Sequence, residues 1–226
     1  RLMFALYVTG TDTGIGKTLA SCALLHALRG HGLRAAGMKP VASGCERLDG
    51  EWRNADALAL QAAGEPGVAY ADINPFALEH PLAPELAARD AGVEVSLLPI
   101  LAAHARVADN ADALIIEGVG GWAAPLSASL MQADLVRALR LPVLLVVGLR
   151  LGCLNHALLS ARAIAADGAH LAGWIASHVD PDMERVEDNI EMLRARLPAP
   201  CWGVLPHAPD ADPVAMARHL RIPVLA

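Results

Sequence analysis

The sequence predicts an α/β fold: a single doubly wound, mainly parallel sheet with helices on both faces, read as one domain over residues 1–226. Three observations predict it. Short apolar runs alternate with longer amphipathic ones along the chain, the pattern of strand–helix units. The first apolar run ends in a glycine-rich turn that opens a helix. A length of 226 residues suits one large domain better than two and is ample for a buried core.

The elements follow in order. Residues 4–9 read as a strand, 18–29 as a helix and 34–38 as a short second strand, with an irregular stretch through Arg53. Residues 54–63 are helical. From Gly64 to Val95 the chain carries Pro66, Pro75, Pro81 and Pro84, which predicts a wandering connection within the domain. Helix 96–108 and buried strand 113–117 come next. The second half repeats the alternation: helix 131–139, strand 143–148, helix 153–166, strand 171–176, polar helix 182–196, strand 202–205 and a last helix 214–220.

Composition narrows the function classes. A net charge of −6 argues against a general electrostatic grip on nucleic acid. The richest apolar stretch, residues 142–148, stops at Arg150, so it reads as a buried strand and no membrane partner is expected. The chain opens at Arg1 without a signal-like pattern, which leads to the expectation of a cytoplasmic protein. Cys22, Cys45, Cys153 and Cys201 are scattered without a C-x-x-C pair, so reduced thiols are expected, and the nine histidines form no ligand pattern.

The chemistry is concentrated at residues 10–18, G-T-D-T-G-I-G-K-T. Glycines let successive backbone N–H groups turn inward on phosphate oxygens, and the helix that follows adds its positive dipole end. In such a loop Lys17 reaches the outer phosphates and the Thr18 hydroxyl binds magnesium. The usual pattern has glycine where Thr11 stands, and here Gly10 lies just before it. Strand, loop and helix nonetheless stand in the P-loop order. Guanine-reading enzymes need an N-K-x-D segment, and neither lysine sits in one. ATPases of the partitioning type carry a second lysine five residues before the loop lysine, where this chain has Asp12.

Lysine usage is informative. Of 18 basic residues only Lys17 and Lys39 are lysine. A surface that needs a cation accepts arginine, whereas a compact ammonium that meets phosphate as a point charge is a lysine task. Glu117 ends a buried strand and is followed by the glycine-rich G-V-G-G at 118–121, a suitable place for a carboxylate that completes a magnesium shell. Asp56 is open from spacing alone, because Asn54-Ala-Asp56 at the head of a helix also reads as an N-cap.

Taken together, residues 9–18, K-P-V-A-S-G at 39–44, R-N-A-D-A at 53–57, E-G-V-G-G at 117–121, L-G-C-L-N-H at 151–156 and L-A-G-W at 171–174 resemble ATP-dependent dethiobiotin synthase, collinearly from the first strand to the end. The resemblance implies a biotin-pathway ligase. It would close the cyclic urea of dethiobiotin from 7,8-diaminononanoate, CO2 and ATP through a carbamate and a carbamic-phosphoric anhydride, releasing ADP and phosphate. By the same resemblance Lys39 and Lys17 are the active-site lysines, and Thr18, Asp56 and Glu117 hold Mg2+. Residues Gly14, Ile15, Gly16, Lys17, Thr18 and Leu19 with Glu117, Gly118, Val119 and Gly120 would hold the nucleotide. Ser177, His178, Pro206, His207 and Ala208 would edge its base. Thr13, Ser43 and Asn155 would contact the substrate, Asn155 at the interface of a homodimer.

The chain also departs from the family pattern. Gly14 stands where some relatives have an acid, Ser177-His178 replaces an adenine-contacting Asn, and Asn189 stands near a Tyr that reaches across the dimer in some relatives. Two competing readings are a related amide-forming ligase and a nucleotide-dependent switch with slow ATP hydrolysis. The first often carries a glutamine-hydrolysing domain, for which 226 residues leave no room. The second would not need Lys39, Ser43 and Asn155.

Overall fold

The computed structural model describes residues 4–223; residues 1–3 and 224–226, which the one-domain reading includes, lie outside the described residues. In chain order, β1 (Phe4–Gly10), α1 (Lys17–Gly30) and β2 (Ala35–Met38) lead into β3 (Val41–Ser43), β4 (Glu46–Leu48) and β5 (Glu51–Arg53). Next come α2 (Ala55–Ala63), α3 (Tyr70–Ile73), β6 (Phe76–Leu78), α4 (Pro84–Asp90), α5 (Leu97–Asp109) and β7 (Ala113–Glu117). The second half holds β8 (Pro125–Ser127), β9 (Leu130–Met131), α6 (Gln132–Leu139), β10 (Val143–Leu149) and α7 (Cys153–Ala166). It closes with β11 (Leu171–His178), α8 (Val186–Arg196), β12 (Cys201–Leu205) and α9 (Pro213–Ala217).

Six of these strands form one parallel sheet in the order β12-β11-β10-β1-β7-β2. Side chains alternate across it. Leu6 and Val8 of β1 pack with Leu24 and Leu25 of α1 and Leu60 of α2. Tyr7 points to the other face, toward Ile100 of α5 and Val136 of α6. Leu145, Val147 and Trp174 fill a further cluster under α7 and α8. Both faces are covered, which is why the strands read as near-continuous apolar runs. β7 and β2 lie on one side of β1 and β10 to β12 on the other, so winding reverses at β1. A ligand crevice is expected beyond the carboxyl end of the sheet at that point.

The sequence-predicted strands and long helices are present, with differences at the edges. The irregular stretch before Arg53 contains β3, which pairs with β6, and the β4–β5 hairpin. That hairpin turns on Asp49 (φ 53°) and Gly50 (φ 84°), an Asp-Gly pair suited to the double positive φ of a tight turn. The proline-rich connection holds α3, β6 and α4. α8 starts at Val186, not 182, because Arg185 takes φ 54°. α9 ends at Ala217, and Leu220 instead forms an antiparallel bridge to Gly203. Among the described residues no helix is long and apolar enough to cross a membrane.

Candidate functional site

Beyond the carboxyl end of β1 lies a cavity of about 800 Å³. Its walls include Thr13 to Thr18, Lys39, Ser43, Asp56, Val119 and Gly120, with Pro81 to Pro84 opposite. Local geometry explains the loop. Gly14 (φ 70°) and Gly16 (φ 83°) are left-handed, and a Cβ on Gly16 would meet Ser177 Oγ at 2.5 Å. α1 begins without a side-chain cap and without an acidic residue in its first turn. Its leading N–H groups are therefore free for an anion.

Asp12 anchors this loop. Its carboxylate accepts the Thr13 N–H at 2.7 Å and pairs with Arg150, just past β10. The Thr13 hydrogen bond, helped by the hydrogen bond and charge of Arg150, holds it below the usual carboxylate range against the opposing effect of burial. Its main-chain oxygen accepts from Lys17 Nζ at 2.7 Å. Lys17 is only 7% exposed, and burial together with the nearby Lys39 charge lowers its ammonium to about 8.

A second cluster meets the loop from below. Lys39 follows β2 and is buried, with Nζ 2.6 Å from Glu117 Oε1 and 2.8 Å from Asp56 Oδ2. Glu117 ends β7 with no exposed surface, and its Oε1 also accepts the Thr18 hydroxyl at 2.9 Å. Four elements thus deliver one charged group or hydroxyl each to a common point. Burial alone would lower the Lys39 ammonium, but the Glu117 and Asp56 carboxylates more than offset it and hold it above its ordinary value. Burial likewise opposes the Asp56 carboxylate, and Lys39 overcomes it to keep that group below the usual range. Asn54 caps α2, accepting from the N–H groups of Asp56 and Ala57, so the Asp56 side chain is free to face Lys39.

Glu117 Oε2 is buried with no hydrogen-bond partner. An orphaned carboxylate oxygen beside a hydroxyl and a second carboxylate is a hard-oxygen donor set, the kind that suits a small divalent cation. Among the described residues no cluster of three His, Cys, Asp or Glu could hold a metal alone. A cation here would therefore need the Thr18 hydroxyl and ligand oxygens, the usual habit of magnesium.

Other predicted residues lie apart from the cavity wall. Leu19 packs against the core from α1, and Gly118 faces Tyr7 and Gln132. Ser177 is buried against Gly16. His178 and His207 form an edge-to-face pair with centroids 5.9 Å apart, His207 Nδ1 lying 3.2 Å from the His178 carbonyl, with Pro206 and Ala208 alongside. Asn155 is exposed on α7.

Gln132 escaped the sequence reading. It is fully buried at the start of α6, donates to Gly121 O at 2.8 Å and Thr9 Oγ1 at 3.4 Å, and accepts the Val119 N–H at 2.9 Å. It shapes the glycine loop after Glu117. A lone Gln heading a helix carries no motif, so the sequence offered no signal for it.

A glycine loop between a central strand and a helix, with its lysine turned into a cavity at the switch point of a parallel sheet, defines a P-loop nucleotide-binding protein. A family model described as an AAA domain matches residues 5–215. The ATP-dependent dethiobiotin synthetase BioD of Xanthomonas oryzae pv. oryzae is 66% identical over 219 residues, covering 97% of this chain and 98% of that protein. The protein of the same name from Xylella fastidiosa is 61% identical over 217 residues, covering 96% of each. The chain belongs to the ATP-dependent dethiobiotin synthetase family.

Solved structures agree on the fold alone. The MinC:MinD cell division protein complex of Aquifex aeolicus matches with a TM-score of 0.55 at 15% identity, over 95% of this chain and 85% of that one. The signal recognition particle receptor FtsY of Elizabethkingia anophelis in complex with GDP matches with a TM-score of 0.51 at 18% identity. That match spans 90% of this chain and 57% of the receptor chain.

Proposed function

We propose that this chain is a dethiobiotin synthase, one domain over residues 1–226, that uses ATP to join 7,8-diaminononanoate and CO2 into a cyclic urea. The observation that carries the reading is the meeting of Lys39 with Glu117, Asp56 and Thr18 beside the loop that holds Lys17, in a chain of this family. One substrate amine captures CO2 as a carbamate. A carbamate oxygen then attacks the γ-phosphorus as the bond to ADP breaks. The second amine attacks the resulting anhydride carbon, the urea closes and phosphate leaves.

The chain's own groups make this feasible. Two anions must approach, and fixed cations offset their repulsion. The Lys17 ammonium and the N–H groups of residues 14–19 hold the outer phosphates, with Val119 and Gly120 forming the facing wall. The Lys39 ammonium faces the carbamate oxygens and the γ-phosphoryl group together. Thr13, Ser43 and Asn155 orient the diamine, while Ser177, His178, Pro206, His207 and Ala208 edge the base. Thr18, Asp56 and Glu117 would hold Mg2+, which would supply positive charge to offset the negative charge of the phosphates. No strong base is needed, since in-line positioning supplies much of the acceleration.

A cytoplasmic homodimer belongs to the same reading. Asn155 lies on an exposed face of α7 beside Leu151, 96% exposed, and Leu159, and outside the cavity. A second copy would bring such a residue to the substrate. The test is incubation with MgATP, labelled bicarbonate and diaminononanoate. Acid-stable label in a cyclic urea is expected, and its absence would refute the assignment.

A further inference from the structure

Lys39 and Asp56 reach one point from two separate pieces of chain, and a run of amide and hydroxyl groups joins the pieces. The Lys39 N–H donates to Ile73 O at 2.8 Å, and the Lys39 carbonyl accepts from Asn74 Nδ2 at 2.7 Å. Asn74, buried, also donates to Phe76 O at 3.2 Å. Its Oδ1 accepts the Tyr70 hydroxyl at 3.1 Å, and that same hydroxyl accepts the Asn54 N–H at 2.7 Å. Asn54 Oδ1 caps α2 at Asp56 and Ala57, while its Nδ2 donates to Ser43 O at 3.3 Å. The Arg53 guanidinium lies 4.1 Å over the Tyr70 ring and steadies it.

Resting on the roles proposed above for Lys39 and Asp56, we propose that Tyr70 and Asn74 are positioning residues that lock the end of β2 to the start of α2. The Tyr70 hydroxyl is bonded to both sides. Without it the Asn54 N–H and Asn74 Oδ1 lose their shared partner, and the Lys39 and Asp56 backbones can shift independently. Rates of oriented reactions fall steeply with such displacements. The loop at residues 10–18 takes no part in this chain of bonds, so its own grip on the nucleotide is kept while the placement of Lys39 and Asp56, and with it the chemical step, suffers.

The test uses the full chain. Tyr70→Phe keeps the ring and removes the hydroxyl. Its kcat for urea formation is expected to fall about tenfold, with the dissociation constant for ATP measured without magnesium within about twofold of wild type. Tyr70→Phe/Asn74→Ala should lose no more than Asn74→Ala alone, because both break one network. Arg106→Ala removes a surface ion pair to Asp72 on the same helix as Tyr70 and should keep wild-type kcat. Should Tyr70→Phe not fold, Asn74→Asp is read in its place, since it keeps the acceptor for Tyr70 and loses the donor to Lys39. A Tyr70→Phe kcat within about twofold of wild type, an equal loss in Arg106→Ala, or additive losses would each overturn the proposal. A wild-type protein that makes no urea would overturn the functional reading, and the positioning role with it.

Discussion

Lys39 is bonded to two carboxylates at once, and one of them, Glu117, has no exposed surface. Deleting the ammonium would strand a buried charge at a cost of about 3–5 kcal/mol, so loss of activity in an alanine variant would say little about chemistry. Lys39→Arg keeps the charge and changes its shape. We expect kcat to fall by about 10²-fold while MgATP binding survives, read by comparing turnover with equilibrium nucleotide binding. Near-normal turnover would mean that any cation suffices there. Lys17 supplies a pH test. On the proposed role its ammonium binds phosphate, and burial with the Lys39 charge lowers it to about 8, so kcat/KM for MgATP should decline as pH rises past that value. A profile flat to about pH 10 would contradict the assignment. The sign for stability is opposite. The folded chain gives up this proton before the unfolded one does, so the buried ammonium costs stability in full below 8, and that cost is relieved as pH rises from 8 to 10.5. At this scale the sequence was informative where type and scarcity coincide, as with the two lysines. It was silent on Gln132, whose partners at Val119 and Gly121 carry no motif, and on the pairing of Asp12 with Arg150, a contact between residues more than 100 positions apart.

The loop that follows Glu117 owes its shape to Gln132. Gln132→Leu would leave the Val119 N–H and the Gly121 carbonyl without that partner, each costing about 1–3 kcal/mol if it stays buried. We expect Tm to drop by several degrees, at about 2–4 °C per kcal/mol for a chain of this size, and KM for MgATP to rise. Unchanged values of both would show that the loop holds itself. Sheet strands and long helices were legible because both faces of the sheet are covered and the periodicity is strong. The small elements were harder. β3 and β6 exist because they pair with each other across a proline-rich stretch, a long-range cause that no local pattern reveals. The Asp49-Gly50 turn did carry a local signal that the reading as irregular chain passed over. Helix ends at 182 and 220 were overrun for a like reason: Arg185 and the Leu220–Gly203 bridge are set by tertiary context.

At the scale of the molecule, the strand order brings the ends of β1, β2 and β7 side by side. That adjacency is what places Lys17 and Lys39 on one cavity wall, with Glu117 buried behind it and bonded to Lys39, although their segments are far apart in sequence. The same frame serves the MinC:MinD cell division protein complex and the signal recognition particle receptor FtsY at 15% and 18% identity, so the fold alone does not choose the function. The choice lies in what releases ADP. The most direct measurement is ADP formation from MgATP and bicarbonate, with and without diaminononanoate, alongside the label incorporated into urea. The account predicts ADP release that depends on the diamine and matches the urea formed one for one. ADP released at the same rate without the diamine would contradict it.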